Sequence, residues 1–484
     1  MTPASTQTPY VAGLSAQHQD MVTGLVEKIR RKAFRNRLRR TYYEHKAGLK
    51  DLGIAIPPHL RGVETAVGLP AKAVDSMSRR TMLERWTLAS GGDPDVLGVG
   101  EISEANRLET LMPQAHTSAL VASTAFGFVT AGDTGAGEPE SLITLRSAEW
   151  ATGTWSSRLN SMTSALSIVD VDDLGAIDHM VLYVPNAAIV MRRSGARWDI
   201  RQSVHELGVP VEQFAYRAEL GRPFGRSRIS RPVMSLTDSI VRSMLRTEVS
   251  AEFFNAPQRW AMGAEEGAFS DRDGNPLSGW QIILGNLLTL SRDEEGNAPT
   301  VGEFKQQSMQ PNIEQLRMLA QWFASETNLP LRSLGIVGDN PESEGAISEA
   351  NHELELDIRH WQSTSLSPAW RRLMVSALRL RDDSDAARAE YAGLSPVWLN
   401  PTKVTTSAAG DWFVKVAPAI DGLAASTVGM EMAGLSPQQI DRFTAERRRI
   451  QGGNTLDRVL AARADVAPGS DATSPSLAAG GGLR

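Results

Sequence analysis

The stretch Gly221–Gly263 reads GRPFGRSRISRPVMSLTDSIVRSMLRTEVSAEFFNAPQRWAMG. A Gly/Pro/Arg-rich lead runs into a long helix-compatible segment. That segment stops at Asn255-Ala256-Pro257, because proline lacks an N–H and disfavours helical backbone in the residue before it. The spacing predicts a helix over Ser235–Phe254. Leu236, Ile240 and Met244 form one apolar stripe, and Val241, Leu245 and Val249 form a second, displaced by one residue. Asp238, Arg242 and Arg246 fall at i, i+4 and i+8 on another face, with the acid N-terminal to the base, the favourable order. A helix with one wall to pack on carries one apolar stripe; two stripes imply neighbours on both sides. No residue in the stretch pairs a nucleophile with a base.

Downstream, Pro311–Thr327 reads as a second helix. Proline at the first helical position costs nothing, since that N–H has no partner anyway, and Ile313, Leu316, Leu319 and Phe323 form an apolar face. Between the two helices, Asn255–Pro311 holds turn clusters (Asp273–Pro276, Ser291–Pro299) around short apolar runs, the signature of a small β insert. The expected unit is an antiparallel helical hairpin with a β-rich tip. Gly338–Gly345, GDNPESEG, is a polar loop. A third helix is expected from Ala346 to beyond Leu380, with Ile347, Ala350, Leu354, Ile358 and Trp361 at helical spacing and a kink at Pro368. Glu342, Glu344 and Glu349 crowd its N-terminal end, where the helix dipole favours anions.

Upstream, Gln17–Gly48 reads as a helix, with Met21, Leu25 and Ile29 at i+4 and a basic middle containing Arg30, Arg31, Lys32, Arg35, Arg37, Arg39 and Arg40. That run is either a solvated helix face or an electropositive patch for DNA or an acidic partner. Leu108–Phe126 reads as a helix, and a strand follows from Gly127. Leu142–Leu145, Ala165–Val171, Met180–Val184, Ala188–Met191 and Arg197–Arg201 read as short strands separated by Asp/Gly/Asn turns. The fold class is therefore α+β. Near the C-terminus the expectations are a strand over Trp398–Thr405, a short helical segment around Ala417–Ala425, a helix over Ser436–Ile450, and a low-complexity tail beyond Ala464.

The chain has 484 residues, 41% of them hydrophobic and 22% charged, and a net charge of −6. That length suits two or three compact units, and the acidic balance argues against a surface that grips nucleic acid broadly. With no cysteine, disulfides, thiolate zinc sites and cysteine nucleophiles are excluded. The N-terminus lacks a secretory pattern. No apolar run approaches the ~18 residues a membrane span needs.

The catalytic candidates are weak. His352-Glu353 lacks a second His at i+4, since position 356 is Leu and the next His is His360, about 12 Å further along a helix. Asp170, Asp172 and Asp173 in VDVDDLG suit a strand ending in an Asp/Gly turn, without the closing Glu of a calcium loop. LGVGEIS (Leu97–Ser103) has Ser103 where a dinucleotide loop needs its third glycine. No GxxxxGK[ST] loop is present, which argues against an ATPase. Glu303-Phe304-Lys305 is half of a nuclease-type E-x-K site. No cofactor is expected.

Taken as an ordered set, several motifs resemble the portal proteins of tailed double-stranded DNA phages, of the siphovirus-like type found in actinobacterial phages. They are Arg222–Ile229 (RPFGRSRI), Asp238 with Arg242, Ala251–Phe254 (AEFF), Pro257–Trp260 (PQRW), Asn328-Leu329-Pro330, the GDNPESEGAI junction, Tyr183–Asn186 (YVPN) and Gly208–Val211 (GVPV). The resemblance covers roughly residues 20–460. It implies a non-enzymatic portal fold: a mixed α/β wing, a helical stem, a small β-rich clip, a long helix and a helical crown. The implied divisions are 1–225 for the basic helix and wing, 226–254 for the first stem helix, 255–310 for the clip, 311–328 for the second stem helix, 329–425 for the tunnel loop, long helix and wing return, 426–463 for the crown, and 464–484 for a disordered tail. Asp238, Arg242, Leu245 and Arg246 would belong to the stem. Gly338, Asp339, Asn340, Pro341, Glu342, Ser343, Glu344 and Gly345 would form the DNA-facing loop. The resemblance also implies a dodecameric ring at one capsid vertex that passes double-stranded DNA. Its partners would be terminase, a head–tail adaptor, and major capsid and scaffolding proteins, with no membrane. The location would be the virion, and the host cytoplasm during assembly. Two alternatives stay open from the residues alone: another virion or scaffold-binding protein, and a metal-dependent nuclease.

Overall fold

The computed structural model describes residues 8–48, 65–254, 259–262, 296, 298, 300–303, 308–336, 344–401 and 406–464. The chain divides into two compact units at residues 401/402. Helix and sheet are mixed in the α+β manner that the turn-separated strands predict.

The first unit begins with α1 (Ala16–Tyr43), capped by the Ser15 hydroxyl, which accepts from the His18 N–H. Val22, Leu25, Val26 and Ile29 are its buried stripe. They pack on a five-stranded antiparallel meander of β4 (Ala151–Ser156), β5 (Ser161–Val171), β6 (Ile177–Val184), β7 (Ala187–Ser194) and β8 (Arg197–Val204). On this face α1 meets Leu166, Ile168, Met180, Leu182, Ile189 and Met191. The opposite face of the meander packs Tyr183, Val181 and Ala188 against Phe126 and Phe128. Both faces of β6 are therefore covered, which is why its sequence reads as a nearly continuous apolar run. The VDVDDLG segment is a strand end and turn, as its pattern predicts: the Asp172 carboxylate accepts from the N–H groups of Leu174 and Ala176.

Phe126 and Phe128 lie on β2 (Thr124–Ala131), the centre of a three-stranded antiparallel sheet between β3 (Ser141–Ser147) and β9 (Val211–Ala215). The largest core surrounds it. Here α2 (Leu69–Ser78), α4 (Leu108–Ala122) and a long C-terminal helix bury Met77, Leu120, Phe214, Trp361, Trp370 and Leu373. His116 of α4 is fully buried, accepting from the Trp370 indole N–H at 3.0 Å on Nε2 and facing the Thr81 carbonyl at 3.0 Å with Nδ1. That partner pair fixes the neutral Nδ1–H tautomer, and burial pushes its pKa down to about 3.

The sequence did not reveal α2, β4 or β9, nor β1 (Leu83–Leu88), which pairs antiparallel with a strand near the end of the unit (Leu394–Trp398, β12). That strand begins earlier than the expected Trp398–Thr405; residues 402–405 lie outside the described set. A short α3 (Val99–Ala105) precedes α4. In the second unit, helices cover Thr406–Val416, Thr427–Met432 and Pro437–Ala464, with 3₁₀ turns at Ala417–Ala419 and Leu423–Ala425.

Candidate functional site

The helical hairpin is formed by α5 (Arg231–Phe254) and α6 (Gln310–Thr327). By the helical rise α5 is about 36 Å long and α6 about 27 Å. They run antiparallel: the start of α5 meets the end of α6, where the Ser230 hydroxyl donates to Glu326 at 3.0 Å. Of the expected β insert, one antiparallel ladder is described, Arg259–Met262 (β10) against Thr300–Glu303 (β11). The rest of 255–310 lies largely outside the described residues.

The base of the hairpin is held by a buried arginine from the RPFGRSRI segment. Arg228 donates to the Ala73 carbonyl (2.6 Å), the Tyr216 hydroxyl (2.9 Å) and the Thr327 carbonyl (2.6 Å). It also lies 3.6 Å from Asp357, a residue of α7 (Glu344–Trp361). Asp357 in turn accepts from Arg217 at 2.9 Å and from the Asn328 amide at 3.1 Å. One guanidinium thus ties α2, the end of β9 and the end of α6 to α7, using the planar fork that Lys lacks. Asn328 closes α6 in left-handed backbone (φ 52°), which Asn tolerates better than most residues. Gly225 sits at φ +66°, where a Cβ would come within 2.2 Å of the Tyr216 carbonyl oxygen. Only glycine fits that turn.

Above the base, the two stripes of α5 divide unevenly. Ile240 and Leu245 are buried within the protomer, Leu245 being 5% exposed. Leu236, Met244, Val241 and Val249 are half-buried. Leu245 is therefore a contact inside the hairpin before any neighbour is considered. Asp238 accepts from the Tyr42 hydroxyl of α1 at 2.8 Å, and Arg242 donates to Ser239 at 2.8 Å, so each takes a partner other than the i+4 residue. Arg246 is exposed. On α6, Leu319 and Phe323 are buried. Ile313, Met318 and Trp322 are 49%, 40% and 55% exposed. Met318 and Trp322, four residues apart, share an outer face that this protomer leaves open; Ile313 lies on the Leu316/Leu319/Phe323 side but, at the start of α6, is exposed rather than buried as its spacing predicts.

Of the loop expected to face DNA, Gly338–Ser343 lie outside the described residues; Glu344 and Gly345 fall in the first turn of α7. The third helix differs from a simple proline kink. A π turn (Gln362–Leu366) joins α7 to α8 (Ser367–Arg381) immediately before Pro368. Proline cannot donate to the preceding turn, and the wider turn accommodates it, with the Thr364 hydroxyl donating to the His360 carbonyl at 2.6 Å. His352, Glu353 and His360 are exposed on α7, and among the described residues no group of three or more His or acidic side chains could hold a metal ion.

On α1, Arg30, Arg31, Lys32, Arg35 and Arg37 are exposed, and Arg39 and Arg40 are half-buried. Arg40 makes a two-pronged pair with the buried Glu149. Arg39 reaches the Ala122 carbonyl at 3.4 Å, and burial together with Arg35 lowers its pKa to about 10. The basic run is thus part structural tie and part exposed cation. The roles of Arg228 and Asp357 were not read from the sequence: RSR marks a basic turn, but nothing local says that its second arginine is buried.

The hairpin is clamped at its base by Arg228 and carries the exposed apolar side chains Met318 and Trp322 on α6. Residues 27–417 match the family model described as phage portal protein, SPP1 Gp6-like. The chain belongs to that family, whose members are structural, non-enzymatic components of the phage capsid. The chain is 25% identical over 384 residues to the portal protein of Mycobacterium phage L5, covering 78% of this chain and 77% of the relative. It matches the portal protein of Mycobacterium phage D29 to the same extent. Family membership carries with it an oligomeric ring and capsid partners. No described helix is long and apolar enough to cross a membrane.

Proposed function

We propose that twelve copies of this chain form a ring at one capsid vertex, with the α5–α6 hairpins lining a channel through which double-stranded DNA enters during packaging and leaves during ejection. The observation that carries this reading is the hairpin itself, tied at its base by Arg228 while Met318 and Trp322 stay open on one face of α6. Neighbours in a ring would cover that face, because a head-to-tail interface uses two different surfaces of each copy and closes when the rotation permits.

In this reading residues 255–310 dock terminase during packaging and the head–tail adaptor afterwards, Gly338–Gly345 face DNA, and 426–463 form a crown. Assembly takes place in the host cytoplasm with major capsid and scaffolding proteins. A channel that moves DNA should not hold it, since each phosphate neutralised by Lys or Arg adds affinity through counterion release. The loop's Asp339, Glu342 and Glu344, in a chain of net charge −6, suit sliding. Glu342→Lys with Glu344→Lys should leave ring assembly intact and slow packaging in an in vitro translocation assay. Wild-type packaging by the double variant would remove the loop from the DNA path.

A further inference from the structure

A cleft of about 710 Å³ opens between α1, the end of α4 and the turn that leads into α5. Lys32, Arg35 and Arg39 line one wall; Arg222, Arg226 and Arg231 line the other. The acid at its rim is Glu326, which already accepts from Ser230. Arg226 pairs with Glu219, and Arg39 reaches a backbone carbonyl. Among the described residues, Lys32, Arg35 and Arg231 face the cleft without an acidic partner. The cations repel one another: Arg35 lowers the pKa of Arg39, and Arg31 and Lys32 lower that of Lys28, in both cases after the larger effect of burial. The floor is apolar, with Phe126 buried and Phe224 half-buried. Like charges concentrated in a concave, partly apolar cleft are relieved by an anionic insert that also brings apolar surface.

The opposite end of α4 carries the complementary surface. Leu108, where α4 begins, is about 21 Å along the helix from Ala122 at the cleft. Around that beginning stand Asp93, Asp95, Glu101, Glu104 and Glu109, all exposed, with Val96 83% exposed among them. Glu101 is paired with Arg381 at 2.8 Å, and Asp93 and Asp95 cap local N–H groups. Glu104 and Glu109 are without an ion-pair partner among the described residues. This surface is exposed and acidic, with the apolar Val96 at its centre; the cleft is basic, with an apolar floor.

We propose that the basic cleft of one copy receives the acidic Asp93–Glu109 surface of a second copy of this chain, giving a head-to-tail contact with α4 spanning each subunit from one interface to the next. The proposal rests on the ring reading and names the surfaces that join it. A duplex of DNA fits the cleft less well, because a concave site of this size with an aromatic floor admits a narrow protruding segment rather than the side of a cylinder.

The absence of cysteine in the chain permits a direct test. The full-length chain carrying Arg35→Cys and Glu104→Cys is treated with a short bis-maleimide and run on a denaturing gel. A ladder of covalent multimers is expected, absent in either single variant. A covalent dimer alone, or monomer alone from a sample that forms rings, overturns the proposal. Charge reversal gives an independent reading, with circular dichroism confirming folded protein. Arg35→Glu with Arg231→Glu should raise the concentration for half-assembly on the order of tenfold, the equivalent of one strong charge pair. Glu104→Arg with Glu109→Arg should do the same, and all four changes in one chain should restore assembly. If the cleft variants assemble normally but lose binding to a 30-base-pair duplex (~30 base pairs spans three helical turns), the cleft is a nucleic-acid site and the proposal fails. If the wild-type chain forms no rings, it is the ring reading that fails.

Discussion

The sheet-and-helix body and the helical hairpin bury their apolar residues in different ways. In the body, the meander is covered on one face by α1 and on the other by the β2 sheet, and the third core closes around Trp361 and Trp370. These cores close within one chain, while single apolar side chains such as Phe34 and Val96 remain exposed on the body's surface. The hairpin joins the body through a polar clamp and, beside it, through Val233, Ile240, Leu319 and Phe323 in the largest core, yet leaves a tryptophan, a methionine and an isoleucine of α6 open along its length. The body closes its own cores, and the hairpin, buried on one side against the body, keeps apolar side chains open on the other. That contrast is what the proposed ring requires of a subunit whose rods would meet other subunits.

The sharpest way to break the contrast is to cut the clamp. Arg228→Ala leaves the Ala73 and Thr327 carbonyls without their buried donor, while Asp357 keeps Arg217 and Asn328, at a cost of about 2–4 kcal/mol. Denaturant unfolding of the protomer should show that loss; a change within experimental error would mean that the hairpin base is held elsewhere. Leu245→Asp comes next. Because Leu245 is buried inside the hairpin, the substitution should destabilise the protomer as well as the ring, by about 2–4 kcal/mol. Loss of assembly with unchanged protomer stability would place Leu245 at the subunit interface instead.

Trp322→Ala should behave in the opposite way. The half-exposed side chain should cost the isolated protomer no more than about 0.5 kcal/mol, yet weaken each ring contact by about 2 kcal/mol if it is covered there. Analytical ultracentrifugation across a dilution series separates the two terms. The smallest effect is a pH slope in the body. His116 has a folded pKa near 3 against 6.5 in an unfolded chain, so the unfolded state binds more protons between these values and acid favours it. The stability this neutral histidine permits is complete above pH 6.5 and is lost as pH falls toward 3. His116→Gln should flatten the upper part of the acid limb in a plot of Tm against pH; an unchanged slope would contradict the buried, neutral ring.

Much of this was legible in the sequence because periodicity reports burial. Leu25 and Ile29 marked the buried side of α1, Leu319 and Phe323 that of α6, and the Val/Ile runs with Asn and Gly turns marked the meander. β4 (ATGTWS) and β9 (VEQFA) were missed because they are short and carry little branched apolar content. α2 was missed because its ten residues begin with Leu-Pro and end in a Ser-rich turn. The clamp could not be read at all: Arg228 and Asp357 lie 129 positions apart, and charged residues at such separation look like solvent-facing ones until the fold brings them together. Two stripes on α5 correctly signalled contacts on more than one side, but assigning a stripe to a partner required knowing that Leu245 is already covered by its own chain.

Electron microscopy of the purified full-length chain tests the central claim most directly. The account predicts closed rings with a central bore and the α5–α6 hairpins as its wall. Uniform monomers at every concentration, or rings whose hairpins point outward and leave the bore to other elements, would contradict it.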